Sequence, residues 1–298
     1  MRKLRLKNVM TPNNQIKALL NLIEDPDEDI FIQVKNELVF MGIDVIPNIE
    51  KAWEKNPFGK NYLTKLENII HEIQFKDIYN SLNNWKETGA INLLDGVLLV
   101  NKFQYPELNR KKVEKQLNTI IQDAKIQLSD HMTGLEKITI LNHIIYKVHG
   151  FHGNKDDYYS PSNSFLTSAL DRKKGNALIL AIIYLEIANR LYIPLKGINL
   201  PNHFILGYPD RNQFEKYNKK RNSMLFYINA FSSGNILSKM DINEFLDKIK
   251  LEHKPEYYTQ CTNREIIKRL ITNLKYSHKK LGAKEKMKEL EVLLSIFQ

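Results

Sequence analysis

Nine consecutive apolar residues, Ala177 to Leu185, constrain the fold of this chain more than any other stretch. They follow Gly175-Asn176 and end at Glu186, so a helix over this segment is hydrophobic on every side rather than along one stripe. The segment is too short to cross a bilayer, which requires about 18 apolar residues. It therefore predicts a helix buried in the core of a domain.

Short segments rich in Ile, Leu, Phe and Tyr follow this helix and predict strands. They are Leu195 to Leu200, His203 to Tyr208 and Met224 to Phe231, separated by Pro201-Asn202 and by the polar residues 209–223. We expect antiparallel strands that lie against the buried helix. The helix starts with a glycine and a small residue, and a histidine and a polar residue follow on successive later strands. This is the order of a papain-like Cys-His-Asp site.

A set of short motifs carries a more specific resemblance. In sequence order they are Gly150-Phe151-His152-Gly153-Asn154, Tyr158 to Ser164, Lys174-Gly175-Asn176, Pro201-Asn202-His203-Phe204 and Ile228-Asn229-Ala230-Phe231. In this order and spacing they resemble the SirB-type branch of the transglutaminase-like superfamily, over roughly residues 130 to 280. The resemblance implies an α+β fold in which a buried helix packs on an antiparallel sheet.

The resemblance also implies where a catalytic triad would lie. Active transglutaminases place a cysteine two residues after a glycine at the start of the buried helix, and that position is Ala177 here. The histidine matches His203, and the aspartate matches Asn229, which cannot stabilise an imidazolium with a full charge. Since the SirB-type branch commonly lacks the cysteine, the resemblance implies a vestigial triad without thiol catalysis. We expect the surrounding cleft to be lined by Asn163, Ser164, Gly175, Asn176 and Phe204.

Upstream of these motifs the hydrophobic periodicity is helical. Asp25-Pro26 predicts a helix start and Gly42 a stop, and a second helix with Trp53 on its apolar face follows. This pair resembles one HEAT-like hairpin, which needs neighbours to bury its apolar face. Tyr62 to Phe75 and Ile78 to Trp85 are the candidates for these neighbouring helices.

The later helices have clearer start signals. Capping boxes predict starts at Thr133, Asp241 and Thr262, and Pro106 to Leu128 and Leu135 to Val148 are predicted helices before the motifs. The last two helices, Arg264 to Leu281 and Ala283 to Phe297, are typical of one tetratricopeptide-like hairpin. We therefore predict a HEAT-like helical region over residues 1–129, a transglutaminase-like core over 130–260 and a C-terminal hairpin over 261–298.

Composition limits the chemistry. The single cysteine, Cys261, excludes an intramolecular disulfide framework and a cysteine-rich zinc site. His143 and His149 are six residues apart on a predicted helix and face different directions, so we expect no metal. There is no glycine-rich phosphate loop, and we expect no cofactor. The N-terminal residues lack the pattern of a targeting signal, so we expect a cytoplasmic protein without a membrane partner.

The net charge of +10 raises the question of nucleic acid. The basic residues are spread along the sequence, and the densest clusters are Arg2 to Lys7, Arg110 to Lys112 and Lys216 to Arg221. We interpret these clusters as solvated faces and expect no nucleic-acid partner.

The leading functional prediction is a non-catalytic module that binds an unknown protein or peptide in the degenerate cleft, in a regulatory or scaffold role. One alternative is an amide hydrolase or acyltransferase that uses His203 with an unconventional nucleophile, for which Ser164 and Ser168 are weak candidates. Ser164 is better explained as a helix cap, and His203 as a histidine held by Asn229. A third hypothesis is weak nucleic-acid binding. An open cleft with convergent polar groups favours binding or chemistry, whereas a cleft filled by Tyr or Phe favours a scaffold.

Overall fold

The computed structural model describes residues 12–55, 59–210 and 223–298. Two of the basic clusters, Arg2 to Lys7 and Lys216 to Arg221, lie outside these residues. The protein divides into two compact units, Met1–Ser81 and Leu82–Gln298. The predicted boundaries after residues 129 and 260 both fall inside the second unit, and the three-part division stays a prediction.

The first unit is helical. It contains α1 (Pro12–Asn21), α2 (Glu28–Met41), α3 (Ile46–Lys55) and most of α4 (Lys60–Glu87). Its core includes Ile23, Leu38, Ile49, Leu66 and Ile69, which are all fully buried.

Two predictions for this unit need correction. Helix α2 is capped by Asp27, whose side-chain oxygen accepts from the Asp29 N–H, so it starts after the predicted Asp25-Pro26. Helix α4 is continuous where we predicted two helices, because residues 60–87 contain no glycine or proline that would end the first one. The predicted stop at Gly42 is confirmed, since its φ of +74° suits glycine at a helix end.

In its described residues the second unit contains α5 (Leu93–Lys102), α6 (Arg110–Gln127), α7 (Gly134–Asn142), α8 (Leu166–Arg172), α9 (Ala177–Arg190), α10 (Lys239–Lys248), α11 (Asn263–Lys280) and α12 (Lys284–Ser295). The capping boxes at Thr133 and Thr262 are confirmed. The predicted start at Asp241 is wrong, because Ser238 is the N-cap of α10 and Asp241 supplies the third-position carboxylate of its capping box. Helix α6 starts after Asn109 rather than at Pro106, and α7 passes at His143 into a π-helical turn that ends at Val148.

A small antiparallel sheet forms the second layer of this unit. Its strands β3 (Lys196–Ile198), β4 (Ile205–Pro209), β5 (Met224–Asn229) and β6 (Asn235–Leu237) lie in that order. The first three were predicted, whereas β6 was not. A separate parallel pair, β1 (His152–Gly153) with β2 (Lys174–Gly175), also escaped prediction because two residues carry no alternation signal.

Helix α9 is the centre of the second unit, as predicted. All residues from Ala177 to Ala188 are buried, and the helix contacts α6, α8, β3 and β4. The helical layers around α9 and the antiparallel sheet confirm the α+β class. Within the described ranges, no helix combines the length and apolar character that a membrane span requires.

Candidate functional site: a cleft at the start of the buried helix

The start of α9 is fixed by Asn176. Its Oδ1 accepts from the Ile179 N–H at 2.9 Å, and its Nδ2 donates to Ser164 Oγ at 2.7 Å. The Asn176 N–H donates to the Asn163 carbonyl at 3.0 Å. Asparagine is a favoured N-cap because its side chain satisfies an orphan N–H of the first turn. The cap therefore places Ala177 in the first position of the helix.

A cavity of about 690 Å³ opens at this helix start. Its walls come from the Tyr158-Tyr159 loop, the first turn of α9, the loop before β4 and one face of α11. The lining residues are Tyr158, Tyr159, Asn176, Ala177, Leu178, Pro201, Asn202, His203, Phe204, Arg269, Thr272, Asn273, Tyr276 and Ser277. We call this cavity the cleft. It is open, and amide, hydroxyl and imidazole groups converge on it.

His203 lies in the loop before β4 and is half-buried. Burial lowers the pKa of its imidazole, side-chain hydrogen bonding with Asn229 opposes this effect, and the charge of Arg269 lowers the pKa further. A histidine whose pKa lies below its usual value of about 6.5 is neutral near pH 7. Since one ring nitrogen bonds with Asn229, the other nitrogen of the neutral ring is the one available to a ligand in the cleft.

Asn229 ends β5 and is not part of the cleft wall. Its Oδ1 accepts from the N–H groups of Phe231 at 3.1 Å and Ser232 at 3.2 Å, so its amide group caps the following 3-10 turn. Of the three predicted triad positions, the structure thus brings Ala177 and His203 into one cavity, with Asn229 behind His203. The equivalence of these positions with a catalytic triad stays a prediction.

The other predicted cleft residues divide into two groups. Asn176 and Phe204 line the cleft. Asn163, Ser164 and Gly175 lie behind its wall instead, and all are buried. Ser164 does not cap α8, whose N-cap is Phe165. Its hydroxyl holds the Asn176 amide, so Ser164 supports the start of α9.

Asn163 supports the loop that carries the tyrosines of the cleft. Its Nδ2 donates to the carbonyls of Asp157 at 2.6 Å and Tyr158 at 3.2 Å. Its Oδ1 accepts from Asn154 Nδ2 at 2.8 Å. Buried amides with several partners hold a loop in one conformation. The Tyr158-Tyr159 wall is therefore positioned from behind by Asn163.

Sequence reasoning missed the wall that α11 contributes. Arg269, Thr272, Asn273, Tyr276 and Ser277 follow one another at helical spacing and line the cleft together. The opposite stripe of α11 is apolar and buried, and it consists of Ile266, Ile267, Leu270, Ile271 and Leu274. The polar stripe is visible in the sequence, but its position beside His203 depends on tertiary packing.

The cleft carries positive charge and aromatic surface. Arg269 Nη1 donates to Asn199 Oδ1 at 3.0 Å and to the Leu200 carbonyl at 3.4 Å. Burial lowers the pKa of its guanidinium, which remains protonated because arginine titrates far above neutral pH. At the rim, the Lys280 ammonium lies 5.5 Å from the ring centroids of both Tyr159 and Tyr276.

No thiol takes part in the cleft, since Cys261 is the single cysteine and is not among the lining residues. Its Sγ donates to the Gly197 carbonyl at 3.3 Å, and burial raises the pKa of its thiol to about 12. Among the residues that the structure describes, no group of three His, Cys, Asp or Glu side chains could hold a metal ion.

Three features together are typical of a transglutaminase-like core. They are the buried helix with a small residue at its start, the histidine before β4 and the polar residue at the end of β5. The family model of the transglutaminase-like superfamily matches residues 111–272, which is more than half of the sequence. The chain belongs to this superfamily.

Curated relatives agree with the SirB-type branch predicted from the motifs. A UPF0162 protein of Xylella fastidiosa is 30% identical over 132 residues, which are 44% of this chain and 47% of the relative. A UPF0162 protein of Vibrio cholerae is 26% identical over 193 residues, covering 64% of this chain and 67% of the relative. F-box only protein 21 of Mus musculus is 23% identical over 242 residues, covering 80% of this chain and 35% of the relative.

The matched region spans less than half the length of the Xylella relative. No solved structure matches the protein.

Proposed function

We propose that this protein is a non-catalytic transglutaminase-like module that binds a protein or peptide segment in the cleft. The observation that carries the proposal is the open cavity of about 690 Å³ at a helix start where a methyl group, that of Ala177, stands in the predicted nucleophile position. Binding cavities for small ligands and side chains commonly measure about 300–1,000 Å³. The cleft thus has room for a ligand but no thiol.

The chemistry of the walls suits a peptide. Asn202 and Asn273 offer amide groups that can bond with a peptide backbone, whereas the Asn176 amide is engaged with Ile179 and Ser164. The tyrosines offer flat, amphipathic surface with few rotatable bonds, which is why tyrosine is common in protein interfaces. These features support an extended segment lying along α11.

The second candidate is a cysteine-independent amide hydrolase or acyltransferase. It is favoured by one observation, the neutral His203 in the same cavity as the hydroxyl groups of Thr272 and Ser277. A hydroxyl becomes a useful nucleophile only when a base is within hydrogen-bond reach. Ser164 and Ser168 are not among the lining residues, so these two serines give the alternative no support.

The proposal includes no nucleic-acid partner. In the remaining basic cluster, Arg110 contacts Asp95 at 2.6 Å and Glu114 at 2.8 Å, and Lys112 contacts Asp171 at 2.9 Å. These cations are engaged with carboxylates of the same protein, which leaves less charge for phosphates.

The proposal is tested by measuring peptide binding to a variant in which a larger side chain fills the cleft. We expect Thr272→Trp to weaken binding of labelled peptides by about tenfold or more, because a bulky ring in the cavity excludes the ligand. Lys279→Trp is the matched control, since Lys279 is an exposed residue of the same helix outside the cleft. Equal binding by wild type and Thr272→Trp would contradict the proposal.

A turnover assay separates binding from catalysis. Wild type, His203→Ala and Cys261→Ser are compared for peptide hydrolysis and acyl transfer. We expect no turnover by any of them. Turnover that is lost in His203→Ala and kept in Cys261→Ser would establish the second candidate instead.

A further inference from the structure

We infer that the cleft selects an acidic peptide segment, with Arg269 binding a ligand carboxylate and the tyrosines of the rim packing on the flanking residues. The inference rests on the proposed function and names the chemical class of its ligand. It comes from the charge balance of the cleft.

Arg269 is a fixed and uncompensated cation. It is half-buried, and its Nη1 bonds to Asn199 and Leu200 hold it against the loop before His203. Its Nε donates to Asn273 Oδ1 at 3.4 Å, whereas its Nη2 has no partner among the residues that the structure describes. Within residues 12–55, 59–210 and 223–298, no Asp or Glu forms an ion pair with it. A guanidinium that has lost part of its hydration gains from a carboxylate that accepts a charge-assisted N–H bond, and the Nη2 of Arg269 is free to donate one.

The rest of the cleft wall does not supply this carboxylate. Its described lining residues include three asparagines, three tyrosines, one histidine and two hydroxyl residues, but no Asp or Glu. The charge of Arg269 acts on His203, because it lowers the pKa of that imidazole. Both side chains line the cleft, so a ligand in it faces both.

The helix start adds a second attraction for negative charge. Asn176 satisfies the Ile179 N–H, but the N–H groups of Ala177 and Leu178 have no partner among the described residues. Both residues line the cleft. The amino terminus of a 14-residue helix carries partial positive charge, which favours a carboxylate nearby. The methyl of Ala177 leaves this end of the cleft without an anionic side chain of its own.

The aromatic rim defines the rest of the ligand. Tyr158, Tyr159 and Tyr276 are 47%, 48% and 47% exposed, and their rings pack on one another with Tyr159 and Tyr276 at 5.7 Å. Rings that are half-exposed beside a cavity present apolar faces to a bound peptide. We therefore expect the acidic residue of the ligand to have an apolar or aromatic neighbour.

The experiment uses pooled, fluorescent heptapeptides with acetylated and amidated ends, in which the central residue is Glu, Asp, Gln or Lys and the others are varied. A second pool ends in a free carboxylate and has no acidic residue. Fluorescence polarisation measures binding to the 298-residue protein. We expect the Glu or Asp pool to bind about tenfold more tightly than the Gln pool, since charge-assisted hydrogen bonds are about twice as strong as neutral ones.

Variants test whether Arg269 causes this preference. We expect Arg269→Gln to bring the ratio of the affinities for the Glu and Gln pools to about one. We expect Arg269→Glu to bind the Lys pool most tightly, because a negatively charged site attracts a positively charged ligand. A loss of folding alone could not reverse the preference. Arg264→Gln is the control, since Arg264 is on the same helix but outside the cleft. Thermal unfolding verifies that each variant is folded.

The outcomes separate the two proposals. Binding of all pools without a preference for carboxylate, or an unchanged preference in folded Arg269→Gln, overturns the inference and leaves the proposed function intact. Binding by the free-carboxylate pool, and not by the internal Glu or Asp pools, assigns Arg269 to the terminal carboxylate of a peptide and overturns the internal acidic segment. The absence of binding by any pool refutes the proposed function and the inference together.

Discussion

Asn163→Ala is the change that best tests how the cleft is supported. The Asn163 residue is 1% exposed, and its side chain makes three hydrogen bonds, to Asp157, Tyr158 and Asn154. Asn154 is itself buried, and without Asn163 its amide keeps only a long contact of 3.4 Å to the Asp157 carbonyl. The backbone bond from Asn176 to the Asn163 carbonyl does not depend on the side chain. The substitution therefore removes the support of the tyrosine loop and leaves α9 capped.

The expected loss of unfolding free energy is about 3 kcal/mol, because each buried polar group left without a partner costs about 1–3 kcal/mol. With an m-value of about 2 kcal/mol/M in urea, the midpoint of unfolding falls by about 1.5 M. The protein has two tryptophans, Trp53 in the first unit and Trp85 in the second. A Trp53→Phe background makes the fluorescence of the buried Trp85 report on the second unit alone.

Asn189→Ala is the matched control. Asn189 is exposed on α9, and its side chain has no hydrogen-bond partner among the residues that the structure describes. We expect a change within about 0.5 kcal/mol, as for most surface substitutions. A loss below about 1 kcal/mol for Asn163→Ala, or an equal loss for both variants, would refute the account of the Asn163 network.

Further predictions concern Gly175, His278 and Cys261 of the second unit. Gly175→Ala is expected to lower the free energy of unfolding by about 1–3 kcal/mol, because the new Cβ overlaps the buried Ile179 Cγ2. A urea midpoint equal to that of wild type would contradict this. His278 is buried, and neither of its ring nitrogens has a hydrogen-bond partner among the described residues. Burial lowers the pKa of its imidazole most, the charge of Lys286 lowers it further, and the charge of Glu289 opposes both effects. The free energy of unfolding should therefore fall as the pH drops through about 6.5, the pKa of histidine in the unfolded chain, and should level off below the pKa of His278 in the folded protein. Between pH 7 and 5, His278→Phe should lose less of this free energy than wild type. Cys261 is half-buried with a pKa raised to about 12, so it should react with a disulfide reagent at pH 8 more slowly in the folded protein than in urea, and equal labelling rates in both states would contradict this.

The sequence predicted those elements whose formation depends on residues that are neighbours in the sequence. The uninterrupted apolar run predicted α9, with Ala177 at its start. The error at Asp241 was also local, since both Ser238 and Asp241 can cap, and the hydroxyl three residues earlier completes the capping box. The two-residue strands β1 and β2 are too short to show any period.

The α11 wall of the cleft could not be predicted in the same way. Arg269 bonds to Asn199 and Leu200, which are 70 and 69 residues away in the sequence. A contact at this separation depends on how α11 packs against the loop before β4, and periodicity reports only which face of a helix is polar. The sequence predicts this helix as part of a terminal hairpin and does not show that its polar stripe lines the cleft. The tetratricopeptide-like and HEAT-like descriptions stay predictions.

The departures at Ala177 and Asn229 are consistent with one another under the proposed function. A catalytic thiolate would stabilise a protonated histidine, and an aspartate behind the ring would stabilise it further. Here the thiol is absent, the Asn229 amide caps its own turn, and His203 has a lowered pKa that keeps it neutral. A carboxylate at position 229 would favour the protonated form of His203, whose ring bonds with the residue there. With Ala177 and Asn229 both uncharged, Arg269 is the charged group left on the described wall of the cleft, and a carboxylate from a partner is the group that would balance it.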